Sequence, residues 1–505
     1  MSVFPQKARI GWFCLLLSIF TLAVYHAPFF QHLFRLTEPG TTGVFQIVSA
    51  VLLLLVLNYV FFYFLVFLFR KAGKFLVAVI LFGNAAMLYF VKAYGIILSD
   101  DMMLNSVSSN MDESSGFFCA PLWISLFLLG VLPALYPLLR KVEYGSLKQF
   151  FTKMGVGLTL LAAIVCVNVK NGPWFKRNSE ELVSLTAPWA YLVNSVRSLE
   201  EQKRMDREET ALPDITFSDS KDLFVLYLGE SIRQDHLALY GYPKPTNPYT
   251  SEDGFTVLKA TSANTFTIAC VKVILEPFQS ETYYEPLPNY LGRNGAHVVW
   301  RTSNWGQPPL HDVDYITIKE LRERFPDQRS GFDEDLLSGL KEDILAIPED
   351  KQFVVIHAYT NHGPDYYTDY PPQFEVFTPI TKNVCLSRAN PEELSNTYDN
   401  SLVYTDYMVH RVLETLKEFT DRRVCLLYMS DHGESLGEDG VFMHAMPLHL
   451  APESQTIIPF MVWTSDPNLH VKPLEEVDER YVFHTVLDFL GADTPVFDKN
   501  LSIFE

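Results

Sequence analysis

Two hydrophobic regimes divide the chain. Residues 1–170 carry five long apolar segments, near 11–34, 44–69, 75–98, 117–139 and 154–169, separated by short charged loops. A helix needs roughly 20 apolar residues to cross a bilayer, so four segments predict confident spans and the fifth a short one. A buried core helix could imitate one such segment but not five in succession. The first segment ends in Phe29-Phe30-Gln31-His32, not in small residues, which favours a retained span over a cleaved signal peptide.

Beyond residue 222 the apolar runs shorten. Runs at 223–229, 296–300, 353–359, 423–429 and 457–463 alternate with helical stretches, notably 392–419 and 481–490. Strands separated by helices predict a mostly parallel sheet covered on both faces, with ligands beyond the carboxyl ends of its strands. Between the regimes, residues 171–215 mix Trp174, Phe175, Trp189 and Tyr191 with Arg197, Glu200, Glu201, Lys203 and Arg204. That mixture predicts helices lying on the membrane face, with a solvated tether as the alternative. The expected organisation is a transmembrane domain of five helices over 1–170, interfacial linker helices over 171–215 and an α/β/α domain over 216–505.

Charge orients this arrangement. Lys7, Arg9, Arg70, Lys71, Lys74, Arg140, Lys141, Lys148 and Lys153 fall in loops on one side, and Asp100, Asp101, Asp112 and Glu113 on the other. The positive loops predict a cytoplasmic N-terminus, and an odd number of spans then exports everything after residue 170. The exported part holds 28 Lys and Arg against 53 Asp and Glu, a formal charge of −25. So acidic a domain gives no electrostatic reason to bind nucleic acid, and an anionic ligand would need local cations or a metal. Cys270, Cys385 and Cys425 in that domain leave room for one bridge but indicate no disulfide framework.

Three strand ends carry groups suited to a metal. Glu230 follows the first strand, His357 and His362 surround the third, and Asp431 with His432 follow the fourth. Carboxylate oxygen and imidazole nitrogen in a tetrahedral set are typical of zinc. Adjacent Asp and His cannot both face one side of a regular strand, so the chain is expected to turn at Gly433. Between the first two strands lies the hydroxyl-rich run Thr261-Ser262-Ala263-Asn264-Thr265-Phe266-Thr267, from which zinc could draw an alkoxide nucleophile. Taken alone, such a run is more often a loop or a helix cap.

Several blocks then occur in order: Gly229-Glu230-Ser231-Ile232-Arg233-Gln234-Asp235-His236, Asn361-His362-Gly363-Pro364, Tyr398-Asp399-Asn400-Ser401-Leu402 and Ser430-Asp431-His432-Gly433-Glu434-Ser435, with His444 beyond. In these blocks the chain resembles the phosphoethanolamine transferases that modify lipid A and related envelope glycans, members of the alkaline phosphatase and sulfatase superfamily. The resemblance implies a sulfatase-like catalytic domain, multi-pass in a Gram-negative inner membrane and facing the periplasm. It implies Glu230, Thr267, Asp431 and His432 as the zinc set, with Thr267 the nucleophile because the family's reactive Thr is the second of a Thr-x-Thr run. It also implies His362 and His444 as binders of the phosphoethanolamine group or of a second zinc, and Asn105, Ser109 and Glu113 as holders of the ethanolamine head group.

The chain departs from that pattern in two places. Ala263 stands where the family's lipid A members carry a cysteine, and residues 300–311 lack the usual basic residue near the substrate phosphate. The activity that the resemblance implies is a zinc-dependent transfer from phosphatidylethanolamine to an envelope acceptor, lipid A or another glycan, through a phosphoethanolamine-threonine intermediate, by a monomer. A phosphoglycerol transferase using phosphatidylglycerol is the near alternative, and a noncatalytic lipid-binding relative the far one. A sulfatase is disfavoured because Cys270 is followed by Val271-Lys272-Val273 and not by the context that formylglycine requires.

Overall fold

The structure, a computed structural model, describes residues 7–108, 117–205, 209–280 and 282–505. It divides into two compact units, Met1–Met103 with Phe117–Leu199 and Leu104–Gly116 with Glu200–Glu505.

The first unit is helical. Helices α1 (Ile10–Tyr25) and α2 (Ala27–Leu36) form a pair bent by 64°, with Pro28 in the first turn of α2. Helix α3 (Thr41–Tyr94) runs for 54 residues but is broken at Arg70, whose φ of 54° and ψ of −113° are not helical. A straight helix of that length would reach about 80 Å, against roughly 30 Å of hydrocarbon, so it exceeds a single straight span. Gly73 permits the turn, since a Cβ there would lie 2.1 Å from the Leu65 carbonyl oxygen.

Helix α4 (Asp100–Ser108) follows, then α5 (Ala120–Leu139) and α6 (Leu147–Val167), both long and apolar enough to cross a membrane. Three helices are thus long and apolar enough to cross a membrane, or four with the bent pair as one span; the five expected from the hydrophobic pattern are reached only if the two arms of α3 each cross. A short parallel pairing of Ala8–Arg9 with Val142–Glu143 ties the N-terminus to the loop before α6. The Arg70 guanidinium lies 4.5 Å from the Tyr144 ring, so the basic loops meet at one end of the bundle. Helix α7 (Trp189–Met205) is anchored to the spans: Trp189 Nε1 donates to Asn58 and Tyr191 OH to Asn84, both at 2.9 Å.

The second unit is built on an eight-stranded sheet. Its strands are β1 (Asp222–Gly229), β2 (Thr256–Thr261), β3 (His297–Thr302), β4 (Asp314–Thr317), β5 (Lys351–His357), β6 (Arg423–Ser430), β7 (Ile457–Thr464) and β8 (Val477–Asp478). They are ordered β8-β2-β7-β6-β1-β5-β3-β4. Only β7 runs antiparallel to its neighbours β2 and β6. All of β1 is buried, as expected of a central strand covered on both faces. Phe224, Leu226 and Leu228 point to one face, where helices α8 (Thr267–Leu275) and α10 (Arg480–Phe489) add Val271, Ile274, Val482 and Phe483 to the core. Helix α9 (Pro391–Leu416) is long and capped by Asn390, whose side chain accepts from the Glu392 and Glu393 amides.

The five expected strands are all present. Strands β2, β4 and β8 are additions that the hydrophobic pattern does not predict. The first is half exposed, and the others are short and lie toward the sheet edges, so none gives an apolar run. Register does the positioning: Leu228 pairs with His357 on one side and Met429 on the other, and Gly229 with Ser430. Strands β1, β5 and β6 therefore end level, and Glu230, Ala358 and Asp431 emerge side by side at one edge.

At the opposite edge of these strands a buried ion cluster holds the sheet. Asp222, wholly buried, accepts hydrogen bonds from Lys351 and from Arg423 Nε at 2.7 Å. Asp222→Ala should lower unfolding stability by about 3–5 kcal/mol, because Lys351 would be left buried and unpaired. Denaturant unfolding of the purified protein measures this, and a change under about 1 kcal/mol would show that the cluster does not pin the sheet.

Candidate active site

Glu230 leaves β1 and is followed by Ser231, which takes a left-handed φ of 56°. That is an unfavourable conformation for a residue with a Cβ, and it turns the chain sharply at the sheet edge. Ser231 also serves the site, since its Oγ donates to Glu230 Oε1 at 2.7 Å and its amide to Asp431 Oδ1 at 3.2 Å.

At the end of β6, Asp431 Oδ1 also accepts from the His432 amide at 2.8 Å. Both side chains converge despite being neighbours in sequence, for His432 Nε2 lies 3.4 Å from Asp431 Oδ2. The expected turn is present, but the reason for glycine at 433 is close approach and not backbone freedom. A Cβ at Gly433 would lie 2.1 Å from the Ser454 carbonyl oxygen, while its φ is not in the left-handed region.

Thr265 and Thr267 are separated by the structure. Thr265 Oγ1 donates to the Met446 carbonyl at 2.6 Å, and its own carbonyl accepts from the Ala445 amide at 2.8 Å, so this residue fastens a loop. Thr267 opens α8, and its Oγ1 lies 3.1 Å from Glu230 Oε2 and 3.4 Å from His432 Nε2. The positive end of the α8 dipole thus faces any anion formed there. Gly306, with φ of 96°, lets its loop pass over this helix start, a Cβ there falling 3.1 Å from Thr267 Cγ2.

Glu230, Thr267, Asp431 and His432 therefore form one cluster. His432 Nε2 is 3.4 Å from each of Glu230 Oε1, Asp431 Oδ2 and Thr267 Oγ1. Ligands about 2.0–2.1 Å from a tetrahedral zinc stand about 3.3–3.4 Å apart, the spacing that His432 Nε2 keeps to each of the other three residues. The donor chemistry fits as well. His432 Nδ1 is 2.9 Å from the Gly433 carbonyl, so Nδ1 carries the proton and Nε2 offers its lone pair. Asp431 Oδ2 is buried without a hydrogen-bond donor.

Electrostatics points the same way. Glu230, Asp431 and His432 have no exposed surface. Burial and the Glu230 charge push the Asp431 carboxyl up to about 7. Burial also opposes ionisation of Glu230, but His432, His362 and His444 together hold it below the usual carboxylate range. Two buried carboxylates this close need a cation between them, and either a metal or the His432 imidazole, which both carboxylates push up against the opposing effect of burial, can supply that charge.

His444 joins this group: Glu230, His432 and His444 offer ligand atoms within 4.8 Å of one another. Its Nδ1 is 2.8 Å from Glu434 Oε2, and Tyr366 OH donates to the other oxygen of Glu434 at 2.6 Å. His362 lies beside it with ring centroids 5.2 Å apart, stacked on Tyr359 at 5.0 Å. His357, by contrast, is buried against Trp300 with neither ring nitrogen hydrogen-bonded, and burial pushes it down to about 4. Asn105 sits partly buried on α4, while Ser109 and Glu113 lie outside the described residues.

Sequence reasoning missed the supports. Asn304 Nδ2 donates to Glu230 Oε2 at 2.8 Å and to the Ala358 carbonyl at 3.0 Å, orienting that carboxylate. Glu479 accepts from the Ala263 amide at 2.9 Å and so braces the hydroxyl-rich loop. Glu434, inside the Ser430–Ser435 block, and Ser231, inside the Gly229–His236 block, had a signal that could have marked them. The expected lack of a basic residue over 300–311 extends to Arg301, whose guanidinium is turned to the Leu336 and Ser338 carbonyls and Asp343. Cys270 and Cys425 are buried free thiols, so neither is bridged.

Next to the site, a cavity of about 360 Å³ is walled by Trp305 and Tyr359 and carries Asp333, Asp365 and Asp369. Its one guanidinium, Arg322, is paired with Asp335. Burial pushes the Asp369 carboxyl well up, so the negative charge of the lining rests on Asp333 and Asp365.

Gly433→Ala should destabilise the protein by about 1–3 kcal/mol through overpacking against Ser454. It should also lower bound metal, because the same backbone carries His432. Thermal unfolding together with metal analysis checks both, and an unperturbed variant would show that the close approach is not required.

Both units have counterparts among known proteins. Residues 222–492 match the family described as Sulfatase, and residues 50–203 the family described as Phosphoethanolamine transferase EptA/EptB. The chain is 30% identical over 492 residues to phosphoethanolamine transferase EptA of Helicobacter pylori (strain ATCC 700392 / 26695), covering 95% of this chain and 93% of that protein. It is 30% identical over 455 residues to phosphoethanolamine transferase EptA of Escherichia coli (strain K12), covering 83% and 82%. Among solved structures, the integral membrane protein lipooligosaccharide phosphoethanolamine transferase A (EptA) from Neisseria meningitidis superposes with a TM-score of 0.88 over 99% of each chain, at 23% identity.

Proposed function

The chain belongs to the phosphoethanolamine transferase family, with a multi-pass membrane unit and a sulfatase-fold catalytic unit, and from that premise we propose its reaction. The protein transfers phosphoethanolamine from phosphatidylethanolamine to a lipid A or related envelope glycan, with Thr267 as the nucleophile. It works in the inner membrane of a Gram-negative cell as a monomer, with residues after the spans in the periplasm. The observation that carries the reading is the placement of Thr267 Oγ1 within 3.1–3.4 Å of Glu230 and His432 at a helix N-terminus.

Glu230, Asp431, His432 and Thr267 would hold zinc, which when bound favours the Thr267 alkoxide and offsets charge on the phosphate oxygens. Thr267 Oγ1 forms a bond to phosphorus as the bond to the diacylglycerol oxygen breaks. The proton leaving Thr267 is matched by one delivered to that oxygen, and His444 or His362 is suited to deliver it. The amides at the start of α8 steady the anionic oxygens. In the second half an acceptor oxygen attacks the phosphoethanolamine-threonine, and Thr267 regains its proton. Asn304 and Ser231 hold Glu230 in place throughout. The negative lining of the adjoining cavity suits the ammonium of ethanolamine better than glycerol, which favours this donor over phosphatidylglycerol.

Thr267→Ala should reduce transfer by at least about a thousandfold while the protein remains folded and retains bound zinc. Product formation is followed by mass spectrometry of lipid A from cells that lack other transferases. Near-normal activity in Thr267→Ala, or its full loss in Thr265→Ala with normal stability, would move the nucleophile to Thr265. Exhaustive chelation should abolish activity and zinc should restore it; activity that survives verified metal removal would exclude the zinc reading.

A further inference from the structure

At the basic end of the helical unit a cavity of about 490 Å³ opens between α1, the first arm of α3 and α6. Arg9, Thr152 and Lys153 line it at that end. Leu15, Leu55 and Leu160 line it one to two helical turns further along. Two glycines make the space. A Cβ on Gly11 would fall 2.5 Å from Lys153 Nζ, and one on Gly157 would fall 2.5 Å from Val60 Cγ2. Lys153 lies over the Tyr63 ring at 5.5 Å, and neither it nor Arg9 forms an ion pair among the described residues.

An apolar crevice between spans is filled by an acyl chain in any bilayer, without net hydrophobic gain over other lipid. Selectivity must come from the head group. Two cations without an ion-pair partner among the described residues, at the mouth of an apolar groove, match a phosphate diester with net negative charge, and basic pockets between spans recognise anionic lipids in this way. We propose that this groove binds one anionic phospholipid, its phosphate at Arg9 and Lys153 and one acyl chain along Leu15, Leu55 and Leu160. The site goes beyond the transfer reaction and uses none of its residues.

The test is native mass spectrometry of the full-length protein from nanodiscs of phosphatidylethanolamine with a minor share of phosphatidylglycerol. The wild-type protein should retain phosphatidylglycerol in excess of its share. Arg9→Gln with Lys153→Gln should cut that excess by about fivefold per cation. Val156→Trp, which fills the groove and leaves both cations, should also lose it. Lys141→Gln with Lys148→Gln, which removes equal charge from the same end outside the groove, should keep it. Transfer activity in each variant reports that the fold is intact. No excess in the wild type, equal excess in the Arg9/Lys153 variant, or equal loss in the Lys141/Lys148 variant would overturn the proposal.

Discussion

Two carboxylates with no exposed surface, Glu230 and Asp431, sit at the ends of adjacent parallel strands with the His432 imidazole within 3.4 Å of both. Like charges in a low-dielectric interior cannot both ionise unless a cation joins them. That constraint organises the site. It accounts for the upward push on Asp431, for the unpaired Asp431 Oδ2, and for donor spacings that match a tetrahedral ion. It also explains why Asn304 and Ser231 donate to Glu230 from the side, since they orient the carboxylate without taking the place of the cation.

The sheet and the loops divide the labour. Level ends of β1, β5 and β6 bring the ligands together, and the buried Asp222, Lys351 and Arg423 cluster fixes the other ends of those strands. The loops supply directions that regular strands cannot. Ser231, Asn361, Met443 and Ala445 all take positive φ without being glycine, and each adjoins a residue of the site. Backbone strain of this kind persists only where surrounding contacts fix it, as the Ala445 amide is fixed on Thr265.

Much of this was legible in the chain, for particular reasons. The spans were readable because length and apolar content are nearly sufficient in a membrane, and the break at Arg70 lies where Arg70, Lys71 and Lys74 interrupt the pattern. Strands β1, β5 and β6 were readable because strands buried on both faces are continuous apolar runs. Strands β2 and β8 were not, because their pairing comes from distant segments and not from their own composition. Residue pattern alone left Thr265 and Thr267 equivalent, and family resemblance chose between them; the structure gives their hydroxyls different partners. Asn304 and Glu479 were illegible because their partners, Glu230 and Ala263, lie 74 and 216 residues away. His357 read as a ligand candidate from its strand end, yet its side chain is turned into the core against Trp300.

The two-step mechanism requires Thr267 to become covalently loaded at a metal-dependent site. Peptide mass spectrometry after incubating the purified full-length protein with phosphatidylethanolamine and no acceptor tests this most directly. The predicted result is phosphoethanolamine on Thr267, present with zinc and absent after its removal. A modification on Thr265, a phosphoglycerol adduct from mixed lipids, or an unmodified Thr267 under conditions that support transfer would contradict it.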